Sequence, residues 1–301
     1  MMGDEGGMVT LKKKAYITDL DGTLLRPDQT LSVFSSNVIR DALEQDMIVT
    51  FATARGFISA HSVVSDIPWK YPVILYNGAL IYDVLNQTVM DGYWLERDIS
   101  NEIINIGRKN GITPFYFSLD VDHQERVLHE TLRREGEISF YHSRSGDPRF
   151  LEVKDLNCPP DYRTLTLTYI GLFEELEPIR LEVTERFGDV IHAHIMPDYY
   201  IPNHYFLEFS HAKGNKREGL RLWASHMGVD LEHTVVFGDH INDVGLFEAG
   251  GTRVAVRNAH ESIQKLADHI IDSNELDGVA QYIQQQMGLQ KESAIANLHR
   301  L

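Results

Sequence analysis

The chain passes from a Gly-rich opening and three consecutive lysines (Lys12, Lys13, Lys14) abruptly into an apolar run, AYIT, that stops at Asp19. Such a run bounded by polar residues predicts a short buried strand followed by a loop. From Ser32 onward, Phe34, Val38, Ile39 and Leu43 recur at the spacing of one helical face, and MIVTFA (47–52) predicts the next strand. A short helix near 57–64, a connection through Pro68 and a third strand over 73–76, running into Asn77-Gly78, continue the alternation. The last third resumes it: helix 217–227, strand 234–237, helix from about 242 to 248, strand 253–256, helix 262–267, strand 269–271 and a final helix 276–287. Short apolar strands alternating with helices imply a parallel, doubly wound α/β sheet.

Between these stretches the texture changes. TPFYFSL (113–119), TLTLTYI (164–170) and VIHAHIM (190–196) alternate with a period of two, as strands with one covered face do. Two helical patterns are interleaved, one carrying Ile99, Ile103 and Ile106, the other Leu176, Ile179, Leu181 and Val183. The α/β rhythm stops near Ile81 and returns near Leu207, so the expected organisation is one domain inserted in another. The expected division is a disordered leader over 1–13, an α/β core over 14–83 and 207–289, an inserted α+β domain over 84–206 and a polar tail over 290–301.

Composition narrows the class. A chain of 301 residues, 43% hydrophobic and 24% charged, falls in the soluble globular range and is long enough for two domains. It has no apolar run of about 18 residues and no signal-peptide pattern, which points to a cytoplasmic protein without membrane association. Its 28 basic against 44 acidic residues give a net charge of -16, which repels a phosphate backbone and argues against nucleic-acid binding. The single cysteine, Cys158, excludes an intrachain disulfide or a cysteine-built zinc site, leaving oxygen ligands or the 14 histidines for any metal.

The most informative stretch is Thr18-Asp19-Leu20-Asp21-Gly22-Thr23-Leu24-Leu25, two carboxylates two apart just after a buried strand. Loops at the C-terminal ends of parallel strands converge on the crevice where such sheets bind ligands, and strand alternation sends residues i and i+2 the same way. One carboxylate could attack while its neighbour moves a proton, and together they could hold a hard cation such as Mg²⁺. A chance match to Asp-x-Asp-Gly-Thr in a chain of this length is rarer than about 1%. A second acidic cluster, Gly238-Asp239-His240-Ile241-Asn242-Asp243, follows the strand TVVF and precedes a helix, where backbone N–H groups favour anions. Helix capping alone would also use Asp and Asn there. Strand two ends in Thr53-Ala54-Arg55-Gly56, a hydroxyl with backbone amides that can hold a phosphoryl oxygen, and HAKGNKREGL offers Lys213 and Lys216 as cations.

Taken in order, Asp19-Leu20-Asp21-Gly22-Thr23, Thr53-Ala54-Arg55, Lys216 and Gly238-Asp239-x-x-Asn242-Asp243 resemble the four motifs of the haloacid dehalogenase superfamily. More narrowly, the chain is similar to the Cof-type phosphatases, whose large C2-type cap lies between the second and third motifs. The resemblance spans everything except leader and tail. It implies a Rossmann-like core with the insert as cap, and a Mg²⁺-dependent phosphomonoester hydrolase acting on a small phosphorylated metabolite such as a sugar phosphate. Asp19 would attack phosphorus to give an aspartyl-phosphate, and Asp21 would protonate the leaving oxygen and then deprotonate water. Thr53 and Lys216 would hold phosphoryl oxygens, with Leu20, Ala54, Arg55, Asn77 and Asn242 around the phosphate and substrate. Mg²⁺ would be bound by the Asp19 carboxylate, the Asp21 backbone carbonyl and Asp239, with Asp243 close by or acting through water. Ala54 replaces the family's usual glycine, a mild departure that leaves the Thr53 backbone usable. Aligning Gly219-Leu220 with the family's helix start selects Lys216 over Lys213.

Two other readings stand beside this one. A phosphomutase of the same superfamily would return the phosphoryl group to a sugar and would need a cap that retains a bisphosphate, yet the insert's arginines are scattered in sequence. A non-catalytic phospho-ligand receptor would be expected to lack the nucleophile or the acid, and both are present. Related phosphotransfer ATPases carry threonine where this chain has Asp21, which speaks for rapid turnover here. His192 and His194, two apart on a predicted strand, share a face that could touch substrate, bind a metal or simply meet solvent. His240 lies inside the last motif, and Cys158, followed by Pro159-Pro160, sits in a loop with no evident partner for nucleophilic work.

Overall fold

A computed structural model describes residues 14–198 and 201–298, with side chains described as far as Leu289. The expected leader (1–13) and the last three residues of the expected tail lie outside the described residues. In chain order the elements are β1 (Ala15–Thr18), α1 (Val33–Glu44), β2 (Ile48–Phe51), α2 (Phe57–Val64), β3 (Val73–Leu75), β4 (Leu80–Asp83), β5 (Thr88–Gly92), α3 (Arg97–Lys109), β6 (Phe115–Leu119), β7 (Glu125–His129), α4 (Glu135–His142) and β8 (Phe150–Glu152). They continue with β9 (Arg163–Leu172), α5 (Phe173–Phe187), β10 (Ile191–Pro197), β11 (His204–His211), α6 (Lys216–Met227), β12 (Thr234–Gly238), α7 (Val244–Ala249), β13 (Thr252–Val256), α8 (Glu261–Leu266), β14 (His269–Ile271) and α9 (Gly278–Leu298). Two compact units result. One gathers the chain up to Phe51, Ser65–Tyr71 and the chain from Ala224; the other holds Ala52–Val64 and Pro72–Trp223.

The first unit is built on five parallel strands in the order β14-β13-β12-β1-β2. β1 is the hinge of the order, with Ala15 opposite Thr234 on one side and Ile48 on the other. Its four residues are all buried, as are those of β2 and β12, because helices cover both faces of a parallel sheet and leave no position for a polar, solvated side chain. Ahead of α1, the Ser32 hydroxyl accepts the Ser35 N–H at 2.9 Å and caps the helix, which then buries Val38, Ile39, Ala42 and Leu43. The last helix runs to Leu298, well beyond the expected stop at 287. Residues 288–298 contain no proline, and Gly288, the one helix-weakening residue there, costs only about 1 kcal/mol against alanine.

The second unit carries a six-stranded sheet, β10-β11-β9-β6-β7-β8, antiparallel throughout except for the β7–β8 pair. Helices α3 and α5 fill one face, where Ile103, Ile106, Ile179 and Val183 pack against Leu167, Tyr169 and Phe209. Leu181, expected on the apolar face of α5, is 54% exposed, because it lies roughly opposite Ile179 on a helix turning about 100° per residue. On the other face Phe140 of α4 packs with Phe115, Val127 and Ile170. β11 keeps this sheet going to His211, past Leu207, near which the sequence pattern predicts a return to the core. The third strand also differs from expectation. β3 meets Ala52 through one isolated parallel bridge at Ile74, but its ladder is antiparallel with β4, which pairs in turn with β5. The β4–β5 turn escaped the sequence reading because its determinants are local and polar: Asp83 accepts the N–H groups of Leu85 and Asn86, and Gln87 takes φ 53°.

Candidate active site

In the first unit, adjacent parallel strands β1 and β12 end together, and each delivers a carboxylate. Asp19 follows β1 with its N–H on the Phe237 carbonyl at 3.0 Å, and Asp239 follows β12. Asp243, at the end of a short helical turn, is fully buried and its Oδ2 accepts the N–H groups of Asp239 at 2.9 Å and His240 at 3.1 Å. One carboxylate oxygen from each of Asp19, Asp239 and Asp243 can be chosen so that all lie within 4.8 Å of one another. Three carboxylates so close repel, and two of them are buried; a hard dication with oxygen preference is the partner that such a donor set fits. The Thr23 hydroxyl donates to Asp239 Oδ1 at 2.8 Å and fixes its rotamer. Asp21 itself is exposed in the turn after β1, and Leu20 is buried beneath it. Gly22 then takes φ +79°, and a Cβ there would stand 2.4 Å from Asp239 Oδ2.

The remaining motif residues lie in the second unit and are knit to one another. Thr53 is buried; its N–H donates to the Ile74 carbonyl at 2.9 Å, its hydroxyl accepts the Arg55 N–H at 3.1 Å, and its carbonyl accepts the Asn77 N–H at 2.9 Å. Asn77 adopts a left-handed φ of 53° in the tight helical turn that joins the antiparallel strands β3 and β4. Gly78 approaches the chain before α6 so closely that a Cβ would lie 2.1 Å from the Asn215 carbonyl oxygen, so this turn and the start of α6 are one assembly. Lys216 opens α6 and is 1% exposed, whereas Lys213 is exposed with its Nζ 5.9 Å from the centre of the Tyr93 ring. An ammonium held at that burial needs anions or acceptors about it, which a surface lysine does not. Ala54 is exposed, Arg55 and Asn242 half-buried.

The family model described as haloacid dehalogenase-like hydrolase matches residues 16–283. The chain belongs to the haloacid dehalogenase-like hydrolases, among their Cof-type phosphatases. It is 24% identical to the HMP-PP phosphatase of Serratia proteamaculans (88% of this chain, 92% of the relative) and 24% identical to the pyridoxal phosphate phosphatase YbhA of Escherichia coli (88% and 95%). It is also 24% identical to the 5-amino-6-(5-phospho-D-ribitylamino)uracil phosphatase YitU of Bacillus subtilis, over 93% of this chain and all of that one. The fold is that of a haloacid dehalogenase-like hydrolase from Bacteroides thetaiotaomicron, with a TM-score of 0.74 at 21% identity over 91% of this chain and 99% of that one. This hydrolase therefore acts on phosphoric monoesters, and its family generally uses a divalent metal, for which the acidic cluster of the first unit is suited.

Other features of this phosphatase were not visible in its sequence. Glu125, at the start of β7, accepts the N–H groups of Phe57 at 2.8 Å and Ile58 at 3.1 Å, capping α2 from a distant part of the chain, and takes the Tyr76 hydroxyl at 2.6 Å. Arg149, 3% exposed, donates to Glu125 and to both oxygens of Asp147. Burial, with the Glu125 charge beside it, holds the Tyr76 phenol well above its ordinary pKa, so it stays a donor. Nothing in the local pattern around Glu125 signals a partner 68 residues away. Cys158 is buried near Tyr116, Thr164 and Ser100, and burial raises its thiol pKa, which suits packing rather than nucleophilic work. His240 is exposed, its ring 6.2 Å from that of His260. His192 and His194 do share a face, their rings stacked at 6.2 Å.

Proposed function

We propose that this protein is a Mg²⁺-dependent phosphatase of a small phosphorylated metabolite, working through an aspartyl-phosphate on Asp19. The observation that carries the reading is the convergence of the Asp19, Asp239 and Asp243 carboxylates at the ends of β1 and β12. Asp19, Asp239, Asp243 and the Asp21 backbone carbonyl would hold Mg²⁺, which supplies charge neutralisation for the phosphoryl group when bound. An Asp19 oxygen attacks phosphorus as the ester P–O bond breaks, and Asp21 gives its proton to the departing alkoxide. Water then attacks the phosphorus while Asp21 takes its proton, and the phosphate–Asp19 bond breaks to restore the carboxylate. The exposure of Asp21 suits a group that must meet the leaving alcohol first and water second.

Thr53 and Lys216 hold phosphoryl oxygens in this scheme, with the Leu20 and Ala54 backbones, Arg55, Asn77 and Asn242 completing the binding of phosphate and substrate. Such catalysis is mostly positioning and charge neutralisation, which a buried lysine and amides at strand ends provide. Residues 84–206, whose last strand runs on to His211, act as the cap that selects substrate between the two core segments. HMP-PP, pyridoxal phosphate and phosphoribitylaminouracil, the compounds in the relatives' names, define the range of metabolites to try. The charge of -16 and the lack of any membrane-crossing helix among the described residues suit work on small molecules in the cytoplasm. Phosphate release from a panel of phosphorylated metabolites, with Asp19→Asn as control, tests the reading. Selective release that vanishes in the variant is expected; undiminished release in the variant would overturn the assignment of the nucleophile.

A further inference from the structure

The face of the six-stranded sheet opposite α3 and α5 is divided. Phe115, Phe117, Phe206 and Ile170 make one half, where they join Phe140 of α4 in an aromatic cluster. The other half is polar. Register places His194 opposite Glu208, Glu208 opposite Thr168 and Thr168 opposite Phe115, so four strands set these side chains in one row across the sheet. Thr166 lies one pleat along β9, opposite Phe117, and His192 one pleat along β10. Alternation puts all of them on this face, because Leu167, Tyr169, Leu207, Phe209 and Ala193 fill the opposite one.

A solvent-facing sheet surface would explain polar residues here, but three observations contradict it. The Thr168 side chain is buried, with the residue 2% exposed, and neither its Oγ1 nor the buried Oγ1 of Thr166 has a hydrogen-bond partner. Leaving a buried hydroxyl unsatisfied costs about 1–3 kcal/mol, so two neighbours in that state mark a place where an outside group completes the bonding. Glu208 retains some exposed surface, yet enclosure by protein pushes its carboxyl up to about 7. The Glu208 carboxyl is thus crowded by protein yet still partly accessible on this face.

The geometry points to a substrate subsite on this face, in which Thr166, Thr168 and Glu208 bind an uncharged leaving group rich in hydrogen-bonding atoms, not a second phosphate or carboxylate. This assignment rests on the phosphatase reading and names the part of the substrate that reading leaves open. Each of the three groups can both donate and accept when neutral, and the row itself holds no lysine or arginine; Arg144 lies outside it, stacked on Phe140 of the aromatic half. Its link to the phosphate-binding residues runs through rings: Phe117, opposite Thr166, meets Tyr76 at 6.2 Å, and Tyr76 adjoins Asn77 on Thr53. A site built around hydrogen bonds discriminates strongly against ligands that cannot make them, so these side chains act on specificity.

The test compares wild type, Thr168→Val and Glu208→Met on four substrates with Mg²⁺: ribitol 5-phosphate, pyridoxine 5′-phosphate, fructose 1,6-bisphosphate and acetyl phosphate, which has no alcohol to recognise. Wild type should favour at least one of the first two over the bisphosphate by about tenfold or more in kcat/KM. Both variants should raise KM for that substrate by at least about tenfold, with kcat and acetyl phosphate turnover within about twofold. A preferred bisphosphate, equal losses on acetyl phosphate, or unchanged KM in both variants would each overturn the subsite. Hydrogen exchange without metal provides an arm independent of turnover. Ribitol 5-phosphate or pyridoxine 5′-phosphate should slow exchange in residues 163–172 and 204–211 of wild type and not of the variants, and no protection by either would also overturn it. Absent phosphate release with that protection intact would instead sink the phosphatase reading alone.

Discussion

At Gly22 two demands meet: a left-handed backbone, and contact with Asp239 so close that no side chain fits. Gly22→Ala should lower stability by at least about 1–2 kcal/mol in urea unfolding and weaken Mg²⁺ binding, because the methyl group displaces a carboxylate of the cluster. Unchanged unfolding and metal affinity would show that the turn relaxes freely. Glu208 gives a pH prediction. Its native pKa of about 7 lies above the ordinary 4.5, so the folded state keeps a proton that the unfolded chain gives up. Stability is therefore lost as pH rises from about 4.5 to about 7 and the penalty stays constant above that. In Glu208→Gln this loss should disappear, seen as a urea midpoint less dependent on pH over that interval; identical pH profiles would contradict it. His192 and His194 flank this carboxyl on the sheet and remain in both proteins, so the comparison isolates Glu208. The motif aspartates, Thr53 and Lys216 stand out in sequence as candidates because each sits where a short apolar run ends or a helix begins. Glu208 was not, since its role depends on neighbours that only strand register supplies.

The α2 helix shows the same limit among elements. Its eight residues were legible, but the carboxylate that caps it comes from β7. Glu125→Ala should cost about 2–4 kcal/mol in urea unfolding, since it removes the cap and strips Arg149 of one of its two carboxylate partners at a buried position. A change under about 0.5 kcal/mol would mean that Asp147 alone satisfies the guanidinium. The strands legible beforehand were those with uninterrupted apolar runs, as in β1, or clean alternation, as in β9 and β10. β7 carries charged residues and a histidine among its five, and β8 is three residues long, so neither pattern could emerge. β3 was legible as a strand while its partner was not: a three-residue apolar run fits a parallel or an antiparallel ladder equally, and the choice fell to the β4–β5 hairpin beside it.

For the whole molecule, the alternation of strands and helices around an α+β insert sufficed to predict the α/β class and the parallel sheet, and the family match over residues 16–283 agrees with it. The substrate was not legible, because the insert's contacts are set by pairing between strands far apart in sequence. Chelation by EDTA should abolish turnover and Mg²⁺ restore it, since three clustered carboxylates repel an anionic phosphoryl group unless a cation lies among them; full activity in metal-free buffer would contradict the role given to Asp239 and Asp243. The central claim is chemical, that phosphate passes through a covalent bond to Asp19. Acid quenching during turnover, reduction with borohydride and mass spectrometry of the peptide bearing residues 15–26 reads that bond directly, because an acyl phosphate is reduced to the alcohol and a free carboxylate is not. Homoserine is expected at position 19 in enzyme quenched with substrate and not in enzyme quenched without it; turnover with an unmodified Asp19, or with the label on Asp21, would contradict a covalent bond to Asp19.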